Sequence, residues 1–275
     1  MVLTMAAGVL LGATQFASAG TIVPIDQGRS VNTFLIVPQC LGEDFDGDAA
    51  EGFEPFDSTI KRVLGCDSGS GFGAGSQQSQ IDPNSMTASG TGASEALGPV
   101  QNIIQAFGHS DFSVTFELES QSEFTMEGLL SAESSEDPSP IGVGATLSLR
   151  DAKNRVIFEF MVQPEPDGAP NSLVIEELGL LDLGVYTLRA HAGSLIDNDV
   201  PPSLSGGASF DFVFEVLTTC GADLDGDGSV GSADLAILLG TWGPIPTPDP
   251  PDFDGDGDVD AFDLAILLGN WGPCP

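Results

Sequence analysis

Aspartates spaced two residues apart and closed by glycine form the strongest chemical signal in the chain. Asp223-Leu224-Asp225-Gly226-Asp227-Gly228 returns 29 residues later as Asp252-Phe253-Asp254-Gly255-Asp256-Gly257. Both copies reach an acid at their twelfth position, Asp234 and Asp263, and continue through an identical Leu-Ala-Ile-Leu-Leu-Gly to Trp242-Gly243 and Trp271-Gly272. Carboxylates at loop positions 1, 3 and 5, a main-chain carbonyl at 7 and an acid at 12 build an oxygen cage for a hard divalent cation, and Gly at 6 permits the sharp bend. The expected ligands are therefore Asp223, Asp225, Asp227, Ser229 and Asp234 for one Ca2+, and Asp252, Asp254, Asp256, Asp258 and Asp263 for a second. At position 9, Asp260 could assist through water and Gly231 could not.

Two departures from the helix-loop-helix form are informative. Asp at position 12 is shorter than the usual Glu, so the loop must close more tightly on its ion. No amphipathic helix precedes either loop, since Ala208–Leu217 reads as a strand and the proline-rich segment 244–251 cannot be helical. Each unit is thus a loop plus one following helix, with apolar faces Leu235, Leu238, Leu239, Trp242 and Leu264, Leu267, Leu268, Trp271. Loop plus single helix, duplicated across a proline-rich linker, resembles the dockerin family, modules that plug secreted enzymes and structural proteins into cohesin-bearing scaffolds. The resemblance covers residues 219–275. It implies a cohesin-like or other extracellular protein partner contacted at loop positions 10 and 11, which here are Ser232, Ala233, Ala261 and Phe262. The Ser-Thr pair common at those positions is absent.

Charge supports dependence on metal. Residues 220–275 contain eleven Asp and no Glu, Lys or Arg, so two calcium ions would cancel four of eleven negative charges. The whole chain carries a formal charge of −34 with seven Lys plus Arg, which argues against nucleic acid or anionic membrane as partners. The first 19 residues hold a short apolar run and end in Ala17-Ser18-Ala19, as a secretory signal peptide does, although no Lys or Arg precedes the run. The expected location is extracellular or at the cell surface, with no transmembrane segment. Four cysteines fit that compartment, and their placement suggests Cys40–Cys66 and Cys220–Cys274.

The elements that must carry this module are mainly β. Val31–Val37, Phe112–Leu118, Phe124–Leu130, Gly142–Leu149, Val156–Val162, Leu173–Glu177, Val185–Ala192 and Ser209–Val216 alternate or run apolar between Asp, Asn, Gly and Pro turns. The expected fold for residues 20–218 is an antiparallel β-sandwich or jelly roll, followed by the small helical calcium module. Residues 67–96, rich in Ser, Gly and Gln, read as a long surface loop; Val100–Phe107 is the one helix candidate before the module. Tyr186, after Leu181-Asp182-Leu183-Gly184, is placed either to clasp that corner or simply to pack.

Weaker constellations carry less. Asp44-Phe45-Asp46-Gly47-Asp48 starts like a third calcium loop within an acidic loop Glu43–Asp57, but Ala49 and Pro55 occupy positions 6 and 12. Gly108-His109-Ser110-Asp111 reads as a turn rather than a nucleophile elbow. Acid pairs for glycoside hydrolysis, among Glu117, Glu119, Glu123, Glu127 and Glu159, arise freely in a chain with 41 acids. The sequence therefore points to a secreted, non-catalytic, calcium-dependent docking protein. The alternative is an enzyme or accessory protein of polysaccharide catabolism, with polysaccharide as a further partner and O-glycosyl hydrolysis as the activity.

Overall fold

Alternation of inward and outward side chains organises the chain into strands β1 (Ser18–Ala19), β2 (Ile22–Gln27), β3 (Ser30–Val37), β4 (Gly42–Ala49), β5 (Phe56–Cys66), β6 (Gly69–Ile81) and β7 (Ser85–Leu97). These are followed by β8 (Ile103–Leu118), β9 (Ser122–Ser134), β10 (Ile141–Asp151), β11 (Val156–Val162), β12 (Asn171–Leu181), β13 (Gly184–Asp199) and β14 (Ser203–Thr218). The computed structural model describes residues 18–19, 21–40, 42–67, 69–98, 103–118, 121–135, 141–165, 169–199, 203–218, 221–244, 251–253 and 257–274. The expected signal peptide lies outside them except for Ser18–Ala19. No helix among the described residues is long and apolar enough to cross a membrane.

Two antiparallel sheets result, in the orders β12-β9-β14-β7-β6-β5 and β11-β10-β13-β8-β3-β4, with β2 lying along β8 beyond the end of β3. They pack face to face, β8 over β6 and β7 and β10 over β9. The inward faces of Phe112, Phe116, Phe210, Phe212 and Phe214, with Met86, Met126 and Leu130, form one continuous core. Tyr186 is buried against Phe116, and its hydroxyl donates to the Asp182 carbonyl at 2.9 Å, tying the β12–β13 corner. Cys40 and Cys66 are bonded to each other.

The Ser/Gly-rich segment 67–96 is not a loop, for it forms β6 and most of β7 in the centre of a sheet. Its buried face is Gly71, Gly73, Gly75, Gln77 and Ser79, then Met86, Ala88, Gly90, Gly92, Ser94 and Ala96. Those residues are small because the opposing backbone is close. A Cβ on Gly92 would stand 2.5 Å from the Gly108 carbonyl oxygen and 2.6 Å from that of Ala192, and one on Gly73 2.5 Å from that of Phe107. In this zone the sheets are joined by hydrogen bonds, Ser94 to Ser194 at 2.6 Å and Gln77 Nε2 to Ser110 Oγ at 3.0 Å.

Three further expectations change. The helix candidate 100–107 is strand from Ile103 onward, its earlier residues being outside those described. The acidic segment 43–57 contains β4, whose Asp44 and Asp46 pair with Arg62 of β5 across the gap between sheet edges. Gly108–Asp111 is mid-strand in β8 rather than a turn. Buried Arg29 holds the following bend by donating to the carbonyls of Gly52 at 2.5 Å and Glu54 at 2.8 Å.

Contacts divide the chain after Leu217, so the C-terminal segment belongs to a separate unit. It contains β15 (Ser229–Val230), α1 (Ser232–Gly240), β16 (Gly243–Pro244), β17 (Asp258–Val259), α2 (Ala261–Gly269) and β18 (Gly272–Pro273).

Candidate metal centre

The repeated sequence builds two equivalent halves that exchange their ends. After α1, Gly243–Pro244 pairs with Asp258–Val259 of the second loop; after α2, Gly272–Pro273 pairs with Ser229–Val230 of the first. Between them Ala222, Val230, Leu238, Val259 and Leu267 form a small core, with Leu235 and Leu264 partly buried against it. The rest of each expected helix face is not covered: Leu239, Trp242, Leu268 and Trp271 remain about half exposed, at 51, 48, 50 and 49%. Ser232, Ala233, Ala261 and Phe262 are all exposed.

In the first loop, carboxylate oxygens of Asp223, Asp225 and Asp227 can be chosen that all lie within 4.8 Å of one another. Among the described residues this is the one acidic group so arranged. Glycines at positive φ, Gly226 at 73° and Gly228 at 86°, turn the chain so that three acids two residues apart converge instead of alternating. Asp223 accepts from the amides of Gly226 and Gly228 at 2.8 Å, and Asp227 accepts from Ser229 N at 2.9 Å and Ser229 Oγ at 2.7 Å. The Asp225 carboxyl is pushed up from its ordinary range, by desolvation and then by the charges of Asp227, Asp234 and Asp223. A cation placed among these oxygens would relieve that repulsion, and hard carboxylate donors suit Ca2+. The donor set fits the ion.

Position 12 has a second use. Asp234 is buried, and its carboxylate accepts from Leu224 N at 2.7 Å, Asp225 N at 3.1 Å and Gly231 N at 2.6 Å. Burial would raise its pKa, but these backbone donors outweigh that and hold it below the usual carboxylate value. Asp263 repeats the arrangement, accepting from Phe253 N and Asp260 N, each at 2.7 Å. Each acid therefore locks the start of its loop to the start of its helix, a role the spacing alone did not reveal. In the second loop Asp252 accepts from Gly257 N at 3.0 Å and Asp258 lies in β17; Asp254 and Asp256 are outside the described residues. Cys274 is disulfide-bonded, and Cys220, its expected partner, is also outside them.

A second cluster went unpredicted. The chain's two histidines meet on one carboxylate on the outer face of the β8–β13 pair. His109 Nε2 is 2.9 Å from Asp111 Oδ2, and His191 Nδ1 is 2.7 Å from Asp111 Oδ1. Asn32 Nδ2 lies 3.0 Å from His109 Nε2, and Phe107 packs edge-on at 4.4 Å. Desolvation opposes ionisation of Asp111, yet the hydrogen bonds and charges of both histidines hold its pKa well below the usual value. No signal in the sequence joins His109 to His191, because strand pairing alone brings them together.

No protein-family model matches this chain, and neither does any curated protein. Among solved structures, an arabinose-bound GH51 α-L-arabinofuranosidase shares 13% identity over 56% of this chain, with a TM-score of 0.21. A GH31 α-xylosidase from Xanthomonas citri shares 10% over 71%, with a TM-score of 0.15. This chain spans 23% and 32% of the lengths of those two proteins. A structure of infectious bursal disease virus, Gx strain, shares 9% over 74% of this chain and 82% of its own, with a TM-score of 0.18. Scores this low carry no argument about fold or activity.

Proposed function

We propose that this is a secreted calcium-binding protein in which a two-sheet sandwich is fastened to an extracellular or cell-surface protein partner by its C-terminal dockerin-like unit. The observation that carries the reading is the convergence of Asp223, Asp225 and Asp227 on two positive-φ glycines, within a loop that the sequence repeats at Asp252–Asp263. Two ions bind, one per loop, and hold together halves that share a core of five buried residues among those described. The half-exposed Leu239, Trp242, Leu268 and Trp271, with Phe262, supply the apolar area that a protein interface needs.

Calorimetric titration of CaCl2 into the full chain tests the first half of this reading, and a stoichiometry near two is expected. Absence of binding at millimolar Ca2+, or equal binding after Asp225→Asn and Asp254→Asn together, would overturn it. Immobilised cohesin domains, with Ca2+ and with EDTA, test the second half. Capture that is equal in both buffers refutes calcium-dependent docking.

A further inference from the structure

Each acidic loop is crossed by a short strap that belongs to the opposite half of the repeat. Gly272–Pro273, which follows α2, lies antiparallel along Ser229–Val230 of the first loop. Gly243–Pro244, which follows α1, lies along Asp258–Val259 of the second. Ser229 and Asp258 are the seventh loop residues, whose main-chain carbonyls are the expected ligands. Pro273 stands opposite Ser229 and Pro244 opposite Asp258, and proline has no N–H to offer those carbonyls. The strap over the first loop bonds instead to the residue before, where Cys274 N donates to the Gly228 carbonyl at 3.0 Å. Ser229 N donates to Asp227 Oδ1 at 2.9 Å. In an extended residue N–H and C=O point to the same side, so the Ser229 carbonyl is turned toward the acids and away from the strap.

The first strap also reaches the loop's first acid. Cys274 Sγ lies 3.8 Å from Asp223 Oδ2, the oxygen that accepts Gly228 N at 2.8 Å, and Cys274 packs against the core that holds Ala222 and Val230. One three-residue segment therefore braces the ligand set from Asp223 to Ser229. A covalent bond fastens it: Cys274 is in a disulfide, and with Cys40 bonded to Cys66 the chain's one other cysteine is Cys220. Ile245 stands where the first half would repeat Cys274. Chain length explains the difference. Pro244 and Asp258 are 14 positions apart, whereas Ser229 and Pro273 are 44 apart. Through the disulfide the longer path shortens to about 11 links, which favours closure of the strap by roughly eightfold, since closure depends on the three-halves power of length.

Resting on the calcium reading above, we propose that Gly272–Cys274 and Gly243–Pro244 are positioning segments that act across the repeat. Each sets the calcium affinity of the loop in the other half, and the Cys274 disulfide serves the first loop alone. The straps contribute no ligand; they aim the carbonyl of the seventh residue.

Calorimetric titration of CaCl2 into the full chain reads each loop apart when the other is weakened, the first in an Asp254→Asn background and the second in an Asp225→Asn background. Gly272 at φ 135° and Gly243 at φ 114° open the two straps, and a Cβ on either meets no atom within 4 Å, so Ala strains the backbone without a clash. Gly272→Ala should weaken the first loop about tenfold and leave the second within about twofold, and Gly243→Ala should do the reverse. Cys220→Ser together with Cys274→Ser should weaken the first loop roughly eightfold and spare the second. Tryptophan fluorescence in saturating Ca2+ checks that each variant folds, and the glycine variants decide the matter if the cysteine variant does not. The inference is overturned if a strap glycine's loss weakens the loop of its own half, or both loops equally, or if a folded cysteine variant leaves the first loop unchanged. Wild-type protein that binds no Ca2+ removes the calcium reading and the role of the straps with it. Two ions bound with unchanged affinities in the strap variants removes the role of the straps alone.

Discussion

Replacing Asp234 and replacing Asp225 should have different consequences, although loop spacing treats both as calcium ligands. Asp234 is buried and accepts three backbone N–H groups, from Leu224, Asp225 and Gly231. Hydrogen bonds to a charged acceptor contribute about 1.5–3 kcal/mol each, so Asp234→Ala should cost at least ~4 kcal/mol even with partial rehydration. A unit this small holds only about 3–5 kcal/mol, and the variant should remain unfolded at any calcium concentration. Asp225 is exposed and accepts one backbone amide, from Asp227 at 3.1 Å, which an Asn oxygen can also accept. Its loss is electrostatic. The substitution keeps the side chain's shape and removes one of the negative charges that would face the cation. Asp225→Asn should weaken binding by about 10- to 100-fold, and excess calcium should restore the fold by mass action. Intrinsic tryptophan fluorescence reads this unit alone, because Trp242 and Trp271 are the chain's only tryptophans. Thermal unfolding followed by that signal across a calcium series separates the two cases. Rescue of Asp234→Ala by the same calcium that rescues Asp225→Asn would refute the locking role.

Asp111 gives a pH prediction. Its pKa is lowered in the fold from an ordinary 3.8, so its ionisation contributes stability above that value and the contribution is lost as pH falls further. The group is 42% exposed, which limits the effect to below about 1 kcal/mol. Asp111→Asn should lower the melting temperature of the two-sheet unit by roughly 2–4 °C at pH 5, with the gap closing below pH 4; a gap that widens on acidification would contradict the ion pairing. Gly92→Val should force the sheets apart and cost about 3 kcal/mol or more in urea unfolding, because its Cβ has no room beside the Gly108 and Ala192 carbonyls. Replacing Cys40 and Cys66 by Ser should cost about 3.5 kcal/mol from the 26-residue separation they close, measured by the same urea titration with circular dichroism.

Strands whose inward residues are large could be read directly. Phe112, Val114, Phe116 and Leu118 announce β8 by their period, and Phe210, Phe212 and Phe214 announce β14. β6 and β7 were illegible because their buried residues, Gln77 and Met86 apart, are Gly, Ser and Ala. Apolar periodicity records side-chain burial, whereas these strands bury backbone against backbone at Gly73, Gly75 and Gly92. The same limit hid the cluster at Asp111, since His109 and His191 are brought together only through the pairing of β8 with β13.

Two of the chain's three Asp-x-Asp-Gly-Asp segments show how narrow the margin is between a cation loop and a strand. Acids at positions 1, 3 and 5 also satisfy the period of two that places side chains on one face of a strand. Asp44-Phe45-Asp46-Gly47-Asp48 takes the strand solution: β4 pairs along its length with β3, and Asp44 and Asp46 turn together toward Arg62. Gly47 serves there by leaving room for Asn32 Oδ1 rather than by bending the chain. Asp223-Leu224-Asp225-Gly226-Asp227 takes the loop solution, because Gly228 follows it at φ 86° where Ala49 follows the first. Ala would find that backbone strained, and without the bend the three carboxylates could not converge. The identity of the sixth residue, together with the presence of a cationic strand neighbour such as Arg62, decides whether the same acids face an ion or an arginine.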